Sequence, residues 1–173
     1  SLESAGVIER EADEFASNLL MPGDVLRARI TSQDVDLHLL SGLAKAFGVS
    51  FEALCIRFIK YTEKRAILLH WDNGFLKYEW RSKSAILSKT RIRRISEPVE
   101  PLRNTVAAEE SISQEWDGLE MPAAVWCVDE QPYMKLLEFK HSYSGHDRVL
   151  TLLILEDAEP RRWDDSWEDP DTA

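Results

Sequence analysis

Two carboxylates near the start of the chain have a spacing that could serve metal chemistry. Glu9 and Asp13 are four residues apart, so a helix would project both from one side, beside the small residues Ala12 and Ala16. One carboxylate could bind a divalent cation while the other accepts the N–H of an imidazole that binds the same metal. Taken alone, this spacing is more often that of a solvated helix face.

A helix must carry these carboxylates, and the hydrophobic pattern predicts one over residues 3–20. Apolar side chains recur there every three or four residues, and Met21-Pro22-Gly23 ends the segment. Three further helical segments are predicted: a turn over 24–27, a helix over 37–47 closed by Gly48, and a helix over 51–62 capped by Ser50.

From residue 66 the apolar period changes from about 3.6 to about 2, which indicates strands. The predicted elements are a hairpin of strands 66–71 and 75–80 around Asn73-Gly74, a strand over 91–95, a helix over 100–110, a strand over 122–129, and a hairpin of strands 133–141 and 147–155. We therefore predict an α+β fold: an N-terminal helical segment of three to four helices, then a mostly antiparallel β domain with one helix. The predicted divisions are 1–64, 65–157 and an acidic tail at 158–173.

The string EREADEFASNLLMP at residues 9–22 resembles the second signature of the ImmA/IrrE-type zinc metallopeptidases. Residues 39–57 are similar to the helix pair that follows in that family, and residues 65–82 to the β-rich region of its longer members. The resemblance implies a zincin-like helical segment, zinc as cofactor and a repressor-type regulatory protein as substrate. It also implies that Glu9 is the zinc ligand, with Glu11 as the competing candidate, and that Asp13 is the carboxylate behind a zinc-bound imidazole.

The chain departs from the family at the first signature, His-Glu-x-x-His, which supplies two zinc ligands and the general base. The histidines are His38, His70, His141 and His146; none precedes a glutamate and no two are four residues apart. A lone glutamate cannot hold catalytic zinc, because such sites use three protein ligands. We therefore expect no catalytic residue in this chain and no activity of the chain alone. Either the protein has lost the first signature, or this chain is the C-terminal portion of a longer protein that holds the zinc, and we favour the second explanation.

A second hypothesis is a non-enzymatic regulatory or protein-interaction module, in which the β domain senses a small ligand in the manner of GAF-like domains. A third is DNA binding through the helix pair at 37–62, which resembles a helix-turn-helix. Residues 1–36 hold eight acidic and three basic residues, a charge of -5 that would repel nearby phosphate. Nucleic acid is therefore not an expected partner.

The overall charge supports that exclusion. With 31 acidic against 21 Lys and Arg residues, the net charge is -10, which argues against a protein that coats nucleic acid or anionic membrane. The basic side chains gather in a stretch of +6 that could bind an anionic partner or pair with residues 156–173, which sum to -6. This basic stretch comprises Arg81, Lys83, Lys89, Arg91, Arg93 and Arg94.

Two further features bound the class of protein. Cys55 and Cys127 have neither disulfide-framework nor metal-type spacing, so both are expected to be buried free thiols. No run of about 18 apolar residues and no signal-peptide pattern occurs, so a cytoplasmic protein without a membrane partner is expected.

Overall fold

A computed structural model describes residues 20–31, 33–145 and 147–159. Its helices are α1 (Gly23–Thr31), α2 (Leu37–Phe47), α3 (Phe51–Tyr61), α4 (Lys83–Leu87) and α5 (Ala123–Trp126). Its strands are β1 (Arg65–Asp72), β2 (Phe75–Arg81), β3 (Arg91–Ile92), β4 (Gln114–Pro122), β5 (Cys127–Val128), β6 (Lys135–Ser142) and β7 (Arg148–Leu155). The helices come first and the strands are mainly antiparallel, so the α+β prediction is confirmed.

Capping residues fix the ends of α2 and α3. Asp36 Oδ1 accepts a hydrogen bond from the Leu39 N–H at 2.7 Å, and Ser50 Oγ accepts one from the Ala53 N–H at 3.1 Å. Gly48, with φ 67°, closes α2 in the left-handed conformation that glycine adopts at little cost. These two helices are where the pattern predicts them, whereas α1 is longer than the turn predicted at 24–27.

Five strands form one antiparallel sheet in the order β2-β1-β7-β6-β4. Asn73 and Gly74 both have positive φ, 51° and 80°, which is the conformation that the predicted tight hairpin between β1 and β2 requires. The final predicted hairpin is also present, as β6 and β7. A separate two-stranded sheet pairs β3 with β5.

Three predicted elements between residues 91 and 129 are wrong in kind or extent. Residues 100–110 form turns instead of a helix, because Thr105 Oγ1 bonds locally to the Leu102 carbonyl at 2.6 Å and Asn104 has φ 65°. The strand predicted over 122–129 is interrupted by α5, whose first N–H, on Ala123, donates to the Met134 carbonyl at 2.8 Å. The strand predicted over 91–95 shortens to β3, since its partner β5 is only two residues long.

The sheet is covered on both faces. One hydrophobic cluster joins α1, α2 and α3 to one face of the sheet, with Leu54 and Phe58 packed beside Leu68 and Phe139. A second cluster lies on the opposite face under the segment between β2 and β6 and includes the fully buried Trp126. The helices and the sheet thus share a core, and the predicted division at residue 64 stays a prediction.

Among the described residues, no single helix is long and apolar enough to be a membrane span. The helices α2 and α3 reach that length and composition only as a pair, which is bent by 109°.

Candidate functional site

The predicted metal-site residues Glu9, Glu11 and Asp13 lie outside the described residues. The described chain begins at Leu20, so it contains the last three residues of the string at 9–22. The structure therefore describes the end of that string and the residues that bind it.

Arg57 on α3 holds the end of the string through the carbonyl of Met21. Its Nε and Nη2 atoms donate to that oxygen at 3.2 and 2.9 Å. Arg57 is only 4% exposed and Met21 is buried, so the contact is shielded from water. A fork of two donors on one carbonyl fixes the direction in which the chain enters α1.

Tyr61, one turn after Arg57, forms the other half of this support. The Arg57 guanidinium lies 4.7 Å from the centre of the Tyr61 ring, and the Arg27 guanidinium lies 5.6 Å from it. A Cβ atom added to Gly23 would be 2.5 Å from the Tyr61 ring, so any larger residue there would force the ring to move. Arg57, Tyr61 and Gly23 form what we call the Met21 clamp.

The described residues do not fit a zinc site. They contain no group of three or more His, Cys, Asp or Glu side chains that could hold a metal ion. Both cysteines are buried and free, as predicted, and burial raises the pKa of the Cys127 thiol to about 12 and that of Cys55 further. Both thiols are therefore protonated near neutral pH.

A histidine and a glutamate meet between α3 and the sheet. His70 on β1 is buried, and its Nδ1 lies 2.7 Å from Glu52 Oε1 without hydrogen-bond alignment. Burial, and then the charge of Glu52, raises the pKa of the nearby Tyr143 to about 12. Sequence reasoning missed this group, and the one signal for it was a histidine inside the apolar run of β1.

A second histidine, His141, lies in an aromatic cluster at the end of β6. Its ring centre is 4.8 Å from that of Phe51 and 4.7 Å from that of Tyr143. Burial lowers the pKa of His141, and its Nδ1 is 2.9 Å from Gln114 Oε1. These neighbours are aromatic and amide groups, so the arrangement is one of packing at a hairpin end.

The basic stretch is divided by the fold. Arg81, Arg91 and Arg94 line one cavity, whereas Arg93 donates to the carbonyls of Ala124 and Cys127. Lys83 begins α4, and Lys89 has φ 55°. The carboxylates that pair with the stretch within the described chain are Glu79 and Asp129, and the acidic residues 160–173 lie outside it.

Sequence reasoning also missed two buried polar sites on the face of the sheet opposite α1 to α3, one at the Arg65–Glu130 pair and one at Glu138. Arg65 and Glu130 form a buried ion pair at 2.5 Å, and Arg65 also donates to the Thr90 hydroxyl at 2.8 Å. Glu138 accepts from the Ala107 N–H at 2.7 Å and from Trp126 Nε1 at 3.0 Å, and burial raises its pKa. Their partners are 12 to 91 residues away in sequence, so no local pattern shows them.

The second helix of the predicted helix-turn-helix packs against the sheet. The α2 and α3 axes meet at 109°, within the range of helix-turn-helix units. Lys60 is the exposed residue of α3, and Leu54, Phe58 and Ile59 are buried. A recognition helix needs an exposed polar face, so this placement favours a packing role for the pair.

Comparison with known proteins identifies a relationship for the N-terminal third of the chain. Residues 1–58 match the sequence family Peptidase_M78, described as IrrE N-terminal-like domain. The match contains the string at 9–22 and the Met21 clamp up to Arg57, and it confirms the resemblance to the ImmA/IrrE-type family. No curated protein matches the chain.

Proposed function

We propose that this chain is the C-terminal part of a zinc-dependent metallopeptidase of the ImmA/IrrE type, which acts in the cytoplasm on repressor-type regulatory proteins. The match over residues 1–58 carries the proposal, because it relates the chain to a metallopeptidase family. The Met21 clamp supports it, since the buried Arg57 donates two hydrogen bonds to a carbonyl of the signature string and so holds the end of that string in a fixed position.

The proposal gives the chain one zinc ligand, Glu9, with Glu11 as the alternative and Asp13 behind a zinc-bound imidazole. The other two ligands and the general base belong to a His-Glu-x-x-His sequence, which these 173 residues lack. By itself the chain would neither hold catalytic zinc nor activate water for peptide hydrolysis.

The test compares two proteins on one substrate, a repressor-type regulatory protein. One is the 173-residue chain, and the other is the same chain with any residues that its gene encodes before Ser1. We expect zinc-dependent cleavage from the second alone. The proposal fails if the extended protein contains no His-Glu-x-x-His and binds no zinc, or if the short chain cleaves as fast.

A regulatory module in the β part is the second candidate, and a cavity lined by charged residues at the edge of the sheet favours it. Because α3 and the sheet share a hydrophobic core, the full chain must be used to test it. A rise in the melting temperature of the zinc-free full chain with a small ligand would support this candidate. Such a rise does not exclude the peptidase function, since one protein can have both functions.

A further inference from the structure

A cavity lined mainly by charged residues lies beside β2, β3 and β5. It has a volume of about 660 Å³, within the range of small-molecule sites. It is lined by Glu79, Arg81, Arg91, Ile92, Arg94, Val128 and Asp129. The end of β2 and the region of β3 therefore bring three guanidinium groups to one space, and the residue after β5, Asp129, lies beside them.

Two carboxylates hold these arginines in place. Glu79 Oε2 accepts from Arg94 Nη2 at 2.9 Å, and its Oε1 lies 3.5 Å from Arg81 Nε. Asp129 Oδ2 accepts from Arg91 Nη2 at 3.0 Å. The arginines are thus oriented before any ligand arrives, which reduces the entropy that binding must overcome.

The arginines keep most of their donors for a ligand. Each guanidinium has five N–H donors, and each donates one hydrogen bond within the described chain. Their side chains are 38%, 41% and 55% exposed for Arg81, Arg91 and Arg94. Three positive and two negative groups leave the cavity with one net positive charge in a protein of charge -10.

We propose that this cavity binds the phosphate group of a small molecule. Planar guanidinium groups match phosphate oxygens in pairs, which a lysine ammonium cannot do. The two carboxylates in the wall and the strongly acidic chain disfavour an extended polyanion such as nucleic acid, whereas a compact phosphate needs only the three arginines. This site is separate from the zinc chemistry proposed above and does not depend on it.

Titration calorimetry of the full, zinc-free chain with pyrophosphate tests the site. Arg91→Gln and Arg94→Gln should each weaken binding about tenfold or more, because each loses a charge-assisted hydrogen bond to phosphate. Arg103→Gln is the matched control, since Arg103 is exposed and does not line the cavity. Equal weakening by Arg103→Gln, or an equal heat with chloride at the same ionic strength, overturns the proposal.

The acidic residues 160–173 could compete with phosphate for the same arginines, so a second variant is needed. Replacing Asp164, Asp165, Glu168 and Asp169 by their amides neutralises much of this segment in the full chain. Tighter pyrophosphate binding in that variant, lost again with Arg94→Gln, supports the site and identifies the tail as its competitor. Absence of binding in both the wild type and the neutralised variant overturns it.

Discussion

Replacing Arg57 by Met removes the polar half of the Met21 clamp while keeping an unbranched side chain of similar length. The Met21 carbonyl then loses the two N–H donors of Arg57, at 3.2 and 2.9 Å, in a place where Arg57 is 4% exposed. A buried polar group without a partner costs about 1–3 kcal/mol, and hydrogen bonds from charged donors lie at the upper end. We expect a loss of about 2–3 kcal/mol in the free energy of unfolding.

Urea unfolding followed by tryptophan fluorescence measures this loss, which corresponds to a fall of roughly 4–12 °C in melting temperature. Arg27→Met is the matched control, because Arg27 lies over the same Tyr61 ring but is half exposed, with only a 4.0 Å ion pair to Asp24. The control should stay within about 0.5 kcal/mol of the wild type.

Amide hydrogen exchange shows where the destabilisation occurs. Arg57→Met should increase exchange most in residues 20–31, because the entry to α1 is what the guanidinium holds. Arg57→Lys should fall between the wild type and Arg57→Met, since lysine keeps the charge but not the fork. If Arg57→Met is as mild as Arg27→Met, or if exchange rises equally throughout the chain, the clamp does not hold this segment.

Three other substitutions test buried contacts of the sheet. Glu130→Gln should destabilise the chain by about 3 kcal/mol in urea unfolding, because it leaves the buried Arg65 guanidinium without its countercharge; a change below about 1 kcal/mol contradicts this. Since burial raises the pKa of Glu138 above its unfolded value, its stabilising contribution is present at low pH and lost as pH rises through the folded pKa. The free energy of unfolding of the wild type, relative to that of Glu138→Gln, should therefore fall from about pH 4 to about pH 7. A rise over the same pH range refutes the sign. Gly118→Ala should lower the melting temperature, because φ is 88° and an added Cβ would lie 2.7 Å from the Phe139 ring; an unchanged melting temperature shows that the ring moves freely aside.

Local signals predict much of this fold. Asn73-Gly74, Gly48 and Ser50 each determine a turn or a helix end by their own conformational preferences, and each is where the pattern places it. Residues 100–110 differ because their composition suits a helix, yet the N–H of Ala107 is taken by Glu138, 31 residues away. A sequence window cannot show such a partner.

The candidate site likewise has residues that the sequence identifies and residues that only the fold identifies. The string at 9–22 is recognisable because its residue types recur as a family signature, and the family match includes it. No sequence pattern identifies Arg57, because its hydrogen-bond partner is a backbone carbonyl 36 residues earlier. The sequence shows the basic stretch as a run of positive charges. It does not show that β3 pairs with β5, and only this pairing distinguishes the arginines that line the cavity from Arg93, which does not.

Zinc content tests the central claim most directly. The protein that contains both a His-Glu-x-x-His sequence and this chain should hold one zinc ion per molecule, measured by atomic emission after dialysis. Glu9→Ala should abolish that zinc and Glu11→Ala should retain it, with both variants folded by circular dichroism. Zinc retained in Glu9→Ala and lost in Glu11→Ala moves the ligand to Glu11. Zinc retained in both variants contradicts the claim that this chain completes the metal site.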